Sequence, residues 1–235
     1  MTKKPLLSKS RYVRGLQCIK AMYLDTYNSK LARYDRETLA KFQDGRKFEA
    51  IFKGTFPNGI DISRKLGYRI SEYPRLTQSY LEQPGEVVLY EAGFLHDDVV
   101  VLADVLHKHE DGSIHIYEVK HMNEVSEVVR QDVYVQYYVI SHCLPDIAEF
   151  NVVYQNADYQ ESMPQEELFR MENLIHSAKE RTDYVRANVA QFTEVLQGME
   201  PQLEMGDHCS TPYKCPYMHY CKRFASNPID LRKIW

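Results

Sequence analysis

The chain has 235 residues and no apolar run near the ~20 that a membrane-spanning helix requires. Its first twenty residues carry charges throughout and hold no apolar segment of the kind a secretory signal needs, so the expected location is cytoplasmic and no membrane partner is expected. There is no Gly-x4-Gly-Lys-Ser/Thr phosphate loop, which excludes a nucleotide-driven motor of that type within these residues. No repeat, low-complexity tract or linker divides the sequence, so residues 1–235 are expected to form one domain. With 44% hydrophobic and 26% charged residues, the composition suits a soluble protein with a sizeable core. The net charge of −4 argues against a polyanionic partner, but its distribution does not. No acidic residue occurs between Met1 and Leu24, against six basic ones: Lys3, Lys4, Lys9, Arg11, Arg14 and Lys20. From Lys214 onward five basic residues face Asp230 alone. If the two ends meet, they form a local basic patch; otherwise they are unrelated basic termini.

Cysteine is scarce and unevenly placed. Cys209, Cys215 and Cys221 follow a Cys-x5-Cys-x5-Cys spacing, and no Cys-x2-Cys pair occurs. In a reducing compartment such a cluster reads as metal ligands before disulfides. Three thiols leave a tetrathiolate site one short, and Cys18 or Cys143 must supply the fourth. Cys143 falls in a helical stretch and reads as a core thiol. If Cys18 closes the site, the two ends of the chain are clasped together, removing roughly 5 kcal/mol of chain entropy at most by analogy with a disulfide. Zinc, an iron–sulfur cluster and free structural thiols are all open on spacing alone, although zinc ribbons usually use the missing pairs. His208 and His219 flank the cysteines as possible substitutes.

The spacing of apolar residues predicts a helix capped by Ser8 or Ser10 and running to about Thr26, and a second over Arg36–Gly54 with Leu39, Phe42, Phe48, Ile51 and Phe52. Residues 61–83 are mixed. Strands are predicted at Val87–Phe94, Val99–His107 and Ile114–Lys120, the last two joined through Glu110-Asp111-Gly112-Ser113. A helix over Ser126–Cys143 ends before Pro145, a strand follows at Glu149–Gln155, and Gln165–Leu196 reads as one long or broken helix. The expected class is a mixed α/β core with a helical flank.

The last hairpin carries the most informative polar residues. Asp104 on one arm faces Glu118 on the other to within one residue, and two-residue alternation sets Glu118 and Lys120 on one face. Two carboxylates and an ammonium on apolar strands are costly when buried unpaired. A hard divalent cation held by oxygen ligands would relieve them, leaving the lysine to serve a water or a phosphate. The plainer alternative is a solvated cross-strand ion pair. On the following helix, Val129, Val133 and Ile140 form an apolar stripe that also includes Gln136.

Asp104 with Glu118-Val119-Lys120 resembles the signature of the PD-(D/E)XK nuclease superfamily. The segment Gln131-Asp132-Val133-Tyr134-Val135-Gln136-Tyr137-Tyr138 is similar to the Gln-and-Tyr helix of RecB-family nucleases, and Gly45-Arg46-Lys47-Phe48-Glu49 resembles their first motif. Glu49 stands where the exonuclease branch often has histidine. The split cysteine set is similar to that of iron–sulfur RecB-like nucleases, including CRISPR-associated single-strand exonucleases. The resemblance implies a restriction-endonuclease-like mixed sheet flanked by helices, with residues 36–197 as core and 1–35 and 198–235 as a cluster-bearing flank. It implies magnesium or manganese on Asp104, Glu118, the Val119 carbonyl and Glu49, with Lys120 and Gln136 completing the catalytic set. It also implies a [4Fe–4S] cluster on Cys18, Cys209, Cys215 and Cys221.

The expected activity is hydrolysis of DNA at single-stranded ends. The alternatives are a catalytically silent iron–sulfur DNA-binding module, or a partner subunit of a repair or defence complex; a zinc-stapled interaction protein is a third reading. Oligomeric state is not legible. Tyr134, Tyr137 and Tyr138 could stack bases or pack in the core. His107, His109, His115 and His121 invite a zinc site, but hairpin alternation makes them solvent-facing or groove-lining, with His121 best placed to meet a phosphate.

Overall fold

A computed structural model describes residues 5–144 and 146–224 of the chain. Lys3, Lys4, Pro145 and Asp230 lie outside the described residues. Seven strands form one mixed sheet. They are β1 (Leu7–Ser8), β2 (Ile60–Asp61), β3 (Val87–His96), β4 (Val99–Lys108), β5 (Ile114–Lys120), β6 (Ile147–Gln155) and β7 (Phe169–Asn173). The order is β2-β3-β4-β5-β6-β7, with β1 attached to β4. β3, β4 and β5 form an antiparallel meander, whereas β5 and β6 run parallel.

Local chemistry explains the meander. Its strands are rich in Val, Leu and Ile, which suit a pleated buried surface. Asp97 and Asp98, both at positive φ, make the two-residue turn from β3 to β4. Gly112 takes φ 87° in the next turn, and Asp111 Oδ1 accepts from the Ser113 amide at 2.9 Å.

Helices cover both faces, as the α/β expectation requires. The parallel step from β5 to β6 is bridged by α6 (Glu127–Cys143), buried along most of its length. It packs with α1 (Lys9–Gln17) and α8 (Thr182–Gln197) over one face of the sheet. On the other face α3 (Arg36–Lys53) sets Phe48 and Phe52 against Val105, Tyr117, Val119 and Val153. Among the described residues no helix is long and apolar enough to cross a membrane.

Several expectations are corrected. The first helix is two: α1 ends at Cys18, which is extended at φ −162° and ψ 111°, and α2 spans Ile19–Tyr27. The Cys18 sulfur accepts from the Ala21 amide at 3.4 Å, so the break is a helix cap. Residues 61–83 hold α4 (Ile62–Leu66) and α5 (Tyr73–Leu81). The stretch from Gln165 is not one helix, because Phe169–Asn173 pairs antiparallel with β6 before α7 (Ile175–Glu180) begins. Its Phe169 packs on Phe48 and Phe52 at centroid distances of 5.4 and 5.2 Å, burial that a helix there would forgo. Leu39, Phe42 and Ile51 of α3 are exposed. Cys143 is no core thiol: it is exposed, its sulfur 3.6 Å from the Leu95 carbonyl. Tyr134, Tyr137 and Tyr138 are buried in the main core, which removes them as a base-stacking surface.

Candidate active site

The site lies at a seam in the sheet. β3 pairs with β4 along its length, but the opposite edge of β4 is shared. Its start pairs with β1 at Val99–Val100, its end with β5 at Val105–Lys108, and Asp104 sits in the interval. The register that places Val105 opposite Tyr117 brings Asp104 beside Glu118. The Val119 amide donates to Asp104 Oδ2 at 2.8 Å.

Strand alternation breaks at this point. Leu89, Ala92 and Phe94 of β3 all join the main core, as do Val101, Ala103 and Leu106 of β4. A strict two-residue period cannot place them together. The break falls at Glu91, flanked by the pairs Tyr90–Val105 and Ala92–Ala103, and therefore alongside Asp104. Glu91 adopts φ +54°, a conformation costing about 1–3 kcal/mol for a non-glycine residue and concentrated at functional sites.

Carboxylates converge here from three elements. One oxygen each from Glu49 of α3, Glu91 of β3 and Asp104 of β4 lie within 4.8 Å of one another. Lys53 Nζ bridges Glu49 at 2.5 Å and Glu91 at 2.7 Å. Glu118 is fully buried and ringed by donors. Lys9 Nζ is 3.0 Å from both its oxygens, Lys120 Nζ 2.5 Å from Oε1, and Gln136 Nε2 2.8 Å from Oε2. Lys9 also lies 3.5 Å from Asp104, and Asp132 holds Lys120 from the other side at 2.9 Å.

The electrostatics divide the two carboxylates. Burial first, then the neighbouring Glu118, push Asp104 up to about 7 against the pull of Lys9 and Lys120. Burial also opposes charge on Glu118, but Lys120, Lys9 and the hydrogen bonds from Lys120 and Gln136 hold it well below the usual range. Burial likewise opposes the Lys120 ammonium, yet Asp132, Glu118 and Asp104 raise its pKa well above normal. Lys9 is raised in the same way by Asp104, Glu118 and Asp132. Burial raises Glu91. A buried group of unequal carboxylates, partly relieved by lysines, is an arrangement able to accept a divalent cation by displacing ammonium groups.

Of the residues singled out from sequence, Asp104, Glu118, Val119, Lys120 and Gln136 come together, and an oxygen of Glu49 lies within 4.8 Å of one of Asp104. Gln136 contacts Glu118. Glu91, Lys53, Asp132 and the role of Lys9 were missed. Glu91 had a signal, a lone carboxylate inside the apolar run Val87–Phe94. Lys9 had none, because only the tertiary fold brings it 109 residues along the chain to Glu118. His121 is exposed, with its ring 5.3 Å from that of Phe48.

Four N-terminal members of the expected basic patch turn inward, whereas Lys214, Lys222 and Arg223 are exposed. Lys9 faces the carboxylates, Arg11 and Arg14 pair with Asp25 at 3.3 and 3.6 Å, and Lys20 is buried against Glu200 at 3.0 Å. Desolvated cations need partners, and the acidic residues nearby supply them.

The two ends of the described chain do meet. Cys18, Cys209 and Cys215 are buried, and Cys221, on α9 (Met218–Phe224), is half-buried. Cys18 and Cys215 share a small core with Ala21, Leu24, Tyr217 and Tyr220, and Cys221 packs against it. Gln17 donates to the carbonyls of His208 and Tyr213 at 2.8 and 2.6 Å, and the Tyr217 hydroxyl to Asp25 at 2.8 Å. Burial raises the thiols of Cys18 and Cys215 and pushes Cys221 up to about 11, with the other cysteines adding to each shift. His208 Nε2 is 3.7 Å from the Cys209 sulfur.

No family model matches the chain, and no curated protein matches it. Among solved structures it is similar to the crystal structure of SSO0001, at 12% identity over 94% of this chain and 88% of that one, with a TM-score of 0.46. It is also similar to an alkaline exonuclease, LHK-Exo, from Laribacter hongkongensis, at 14% identity over 54% and 69% of the two chains, with a TM-score of 0.29. At these scores neither likeness fixes the chemistry, which is read from the site itself.

Proposed function

We propose that the chain is a metal-dependent nuclease of the RecB-like PD-(D/E)XK kind, hydrolysing phosphodiester bonds at single-stranded DNA ends. The observation that carries this reading is the convergence of Asp104, Glu118 and Lys120 at a seam in the sheet, with Glu49 and Glu91 beside them. The donor set is oxygen-rich and acidic, which fits magnesium or manganese. Asp104, Glu118, the Val119 carbonyl and Glu49 would hold the ion, and Glu91 lies in the same cluster. A bound divalent ion supplies Lewis acidity and a more acidic water.

The chain's own residues do the rest. Lys120 stays an ammonium under the charge of Asp132, Glu118 and Asp104, so it serves as a donor that orients the attacking water and offsets charge building on the phosphoryl oxygens. Asp132 keeps Lys120 in place, and Gln136 fixes the orientation of Glu118.

The second half of the proposal is a structural [4Fe–4S] cluster on Cys18, Cys209, Cys215 and Cys221. Cys18, Cys215 and Cys221 around one small core, with Cys209 near enough to influence each of them, are a chemically suitable donor set. Support for a cluster over zinc comes from the wide Cys-x5-Cys-x5-Cys spacing and the missing Cys-x2-Cys pairs that zinc ribbons usually use. We read residues 1–235 as one cytoplasmic domain, with 36–197 as the nuclease core and 1–35 and 198–235 as the flank.

One observation favours the silent DNA-binding reading: Lys9 already neutralises Glu118 and approaches Asp104. Cleavage of end-labelled single- and double-stranded DNA with manganese separates the two. The wild-type chain should cut, while Asp104→Ala and Lys120→Ala should stay folded by circular dichroism, bind DNA and not cut. Full cutting by either variant would sink the assignment. Iron and sulfide analysis of anaerobically purified protein tests the cluster.

A further inference from the structure

A second set of metal-type donors lies on the same two strands, nearer their turn. His107 of β4 and His115 of β5 are cross-strand partners, and His109 follows β4 at the entry to the turn. Glu86, immediately before β3, reaches across so that its Oε1 lies 2.5 Å from His107 Nε2. One ligand atom from each of Glu86, His107 and His109 falls within a common 4.8 Å. The rings of His107 and His109 have centroids 3.7 Å apart, and those of His109 and His115 are 4.3 Å apart.

Solvation of a strand face does not require this. Solvated imidazoles would each find water or a carboxylate, yet His109 Nε2 is buried with no hydrogen-bond partner. An unsatisfied buried polar atom is costly unless something binds it. His107 lies three positions from Asp104 and His115 three from Glu118, about 10 Å along a strand, so the cluster is distinct from the carboxylate site.

We propose that Glu86, His107 and His109 form a second metal site, for a zinc-class divalent ion, with His115 as the adjacent fourth donor. Imidazole and carboxylate together suit zinc and its borderline neighbours, whereas magnesium prefers oxygen alone. His115 Nδ1 now lies 3.6 Å from Glu149, so its recruitment would need only a change of partner. Such an ion ties the lead-in of β3 to β4 and β5. It thus pins the turn end of the strands that carry Asp104 and Glu118.

The test is a zinc titration of the full chain by calorimetry, in excess magnesium to occupy the carboxylate site. Glu86 is exposed, so Glu86→Gln keeps the fold, and His109→Gln is checked by circular dichroism. Each should weaken one zinc-binding event about tenfold or more. His142→Gln, in the separate stacked pair with His96 at 4.0 Å, should leave that event intact. Copper(II) substituted at the site should show nitrogen hyperfine coupling from imidazole that diminishes in His109→Gln. The proposal is overturned if no zinc event occurs, if Glu86→Gln and His109→Gln leave it unchanged, or if only Cys209→Ser abolishes it.

Discussion

Lys9 occupies the position from which an ammonium can compete with a metal ion, and Lys9→Met asks whether it does. Methionine keeps much of the length of the side chain and removes only the charge. Two unit charges about 4 Å apart interact by ~4 kcal/mol at an effective dielectric of about 20. Removing one partner of a buried pair costs about 3–5 kcal/mol, because the other charge is stranded. Here the low end applies, about 3 kcal/mol, since Lys120 and Gln136 still hold Glu118 and the Lys9 side chain is 23% exposed. Urea unfolding in buffer without divalent cations should show that loss. Added magnesium should recover most of it, as any ligand bound only by the folded state must. Calorimetry should show tighter magnesium binding in Lys9→Met than in the wild type, because the competing ammonium is gone. Unchanged stability without divalent cations, or weaker magnesium binding in the variant, would refute the reasoning and return Lys9 to an ordinary surface role.

Because Asp104 is held up to about 7, magnesium or manganese binding near pH ~6 should expel a proton, making the binding enthalpy depend on the buffer's ionisation heat; the dependence should vanish above pH ~8. The same raised carboxyl favours the folded state below 3.8 and loses that contribution as pH climbs through about 7, so divalent-free protein should weaken over that window in thermal melts while magnesium-bound protein does not. Gln136→Leu should stay folded and lose about 10–100-fold in metal affinity or cleavage rate, since Glu118 loses its orienting donor; wild-type values would contradict that role. Lys20→Ala should cost about 3–5 kcal/mol by stranding buried Glu200, and Lys20→Met with Glu200→Leu should recover it, both read as denaturant midpoints. Cys18→Ser should lose iron as completely as Cys215→Ser while Cys143→Ser keeps it, and the reverse pattern would make Cys143 the fourth ligand.

What was legible in the sequence was local. The meander, α3 and α6 announce themselves through apolar period, turn residues and helix caps, and the Asp104–Glu118 register follows from counting outward from Gly112. The misreadings share another origin. Phe169–Asn173 reads as helix because an edge strand half open to solvent has no strict alternation, and only its partner β6 decides it. The kink at Cys18 is invisible because Val13, Leu16, Met22 and Leu24 suit one continuous helix. Glu91 and Lys9 belong to the acidic site through pairings that no local pattern encodes. The N-terminal basic residues suggest a surface patch because charge can be counted in sequence while Asp25 and Glu200, the partners of Arg11, Arg14 and Lys20, cannot be matched to them there.

The shared edge of β4 sets an order of assembly. Asp104 and the Val119 amide it accepts from are 15 residues apart and are joined by a tight turn, so the acidic half of the site closes as soon as the hairpin does. Lys9 must reach Glu118 across 109 residues, and Gln17 reaches His208 across 191. Loop closure grows as (3/2)RT ln n, which makes the first of these long searches about 2 kcal/mol harder than the hairpin. The hairpin carboxylates, with Lys120 already beside them, are therefore gathered before Lys9 arrives. A divalent cation present while the chain folds meets an acidic hairpin with Lys9 still absent, and can be seated without having to evict it.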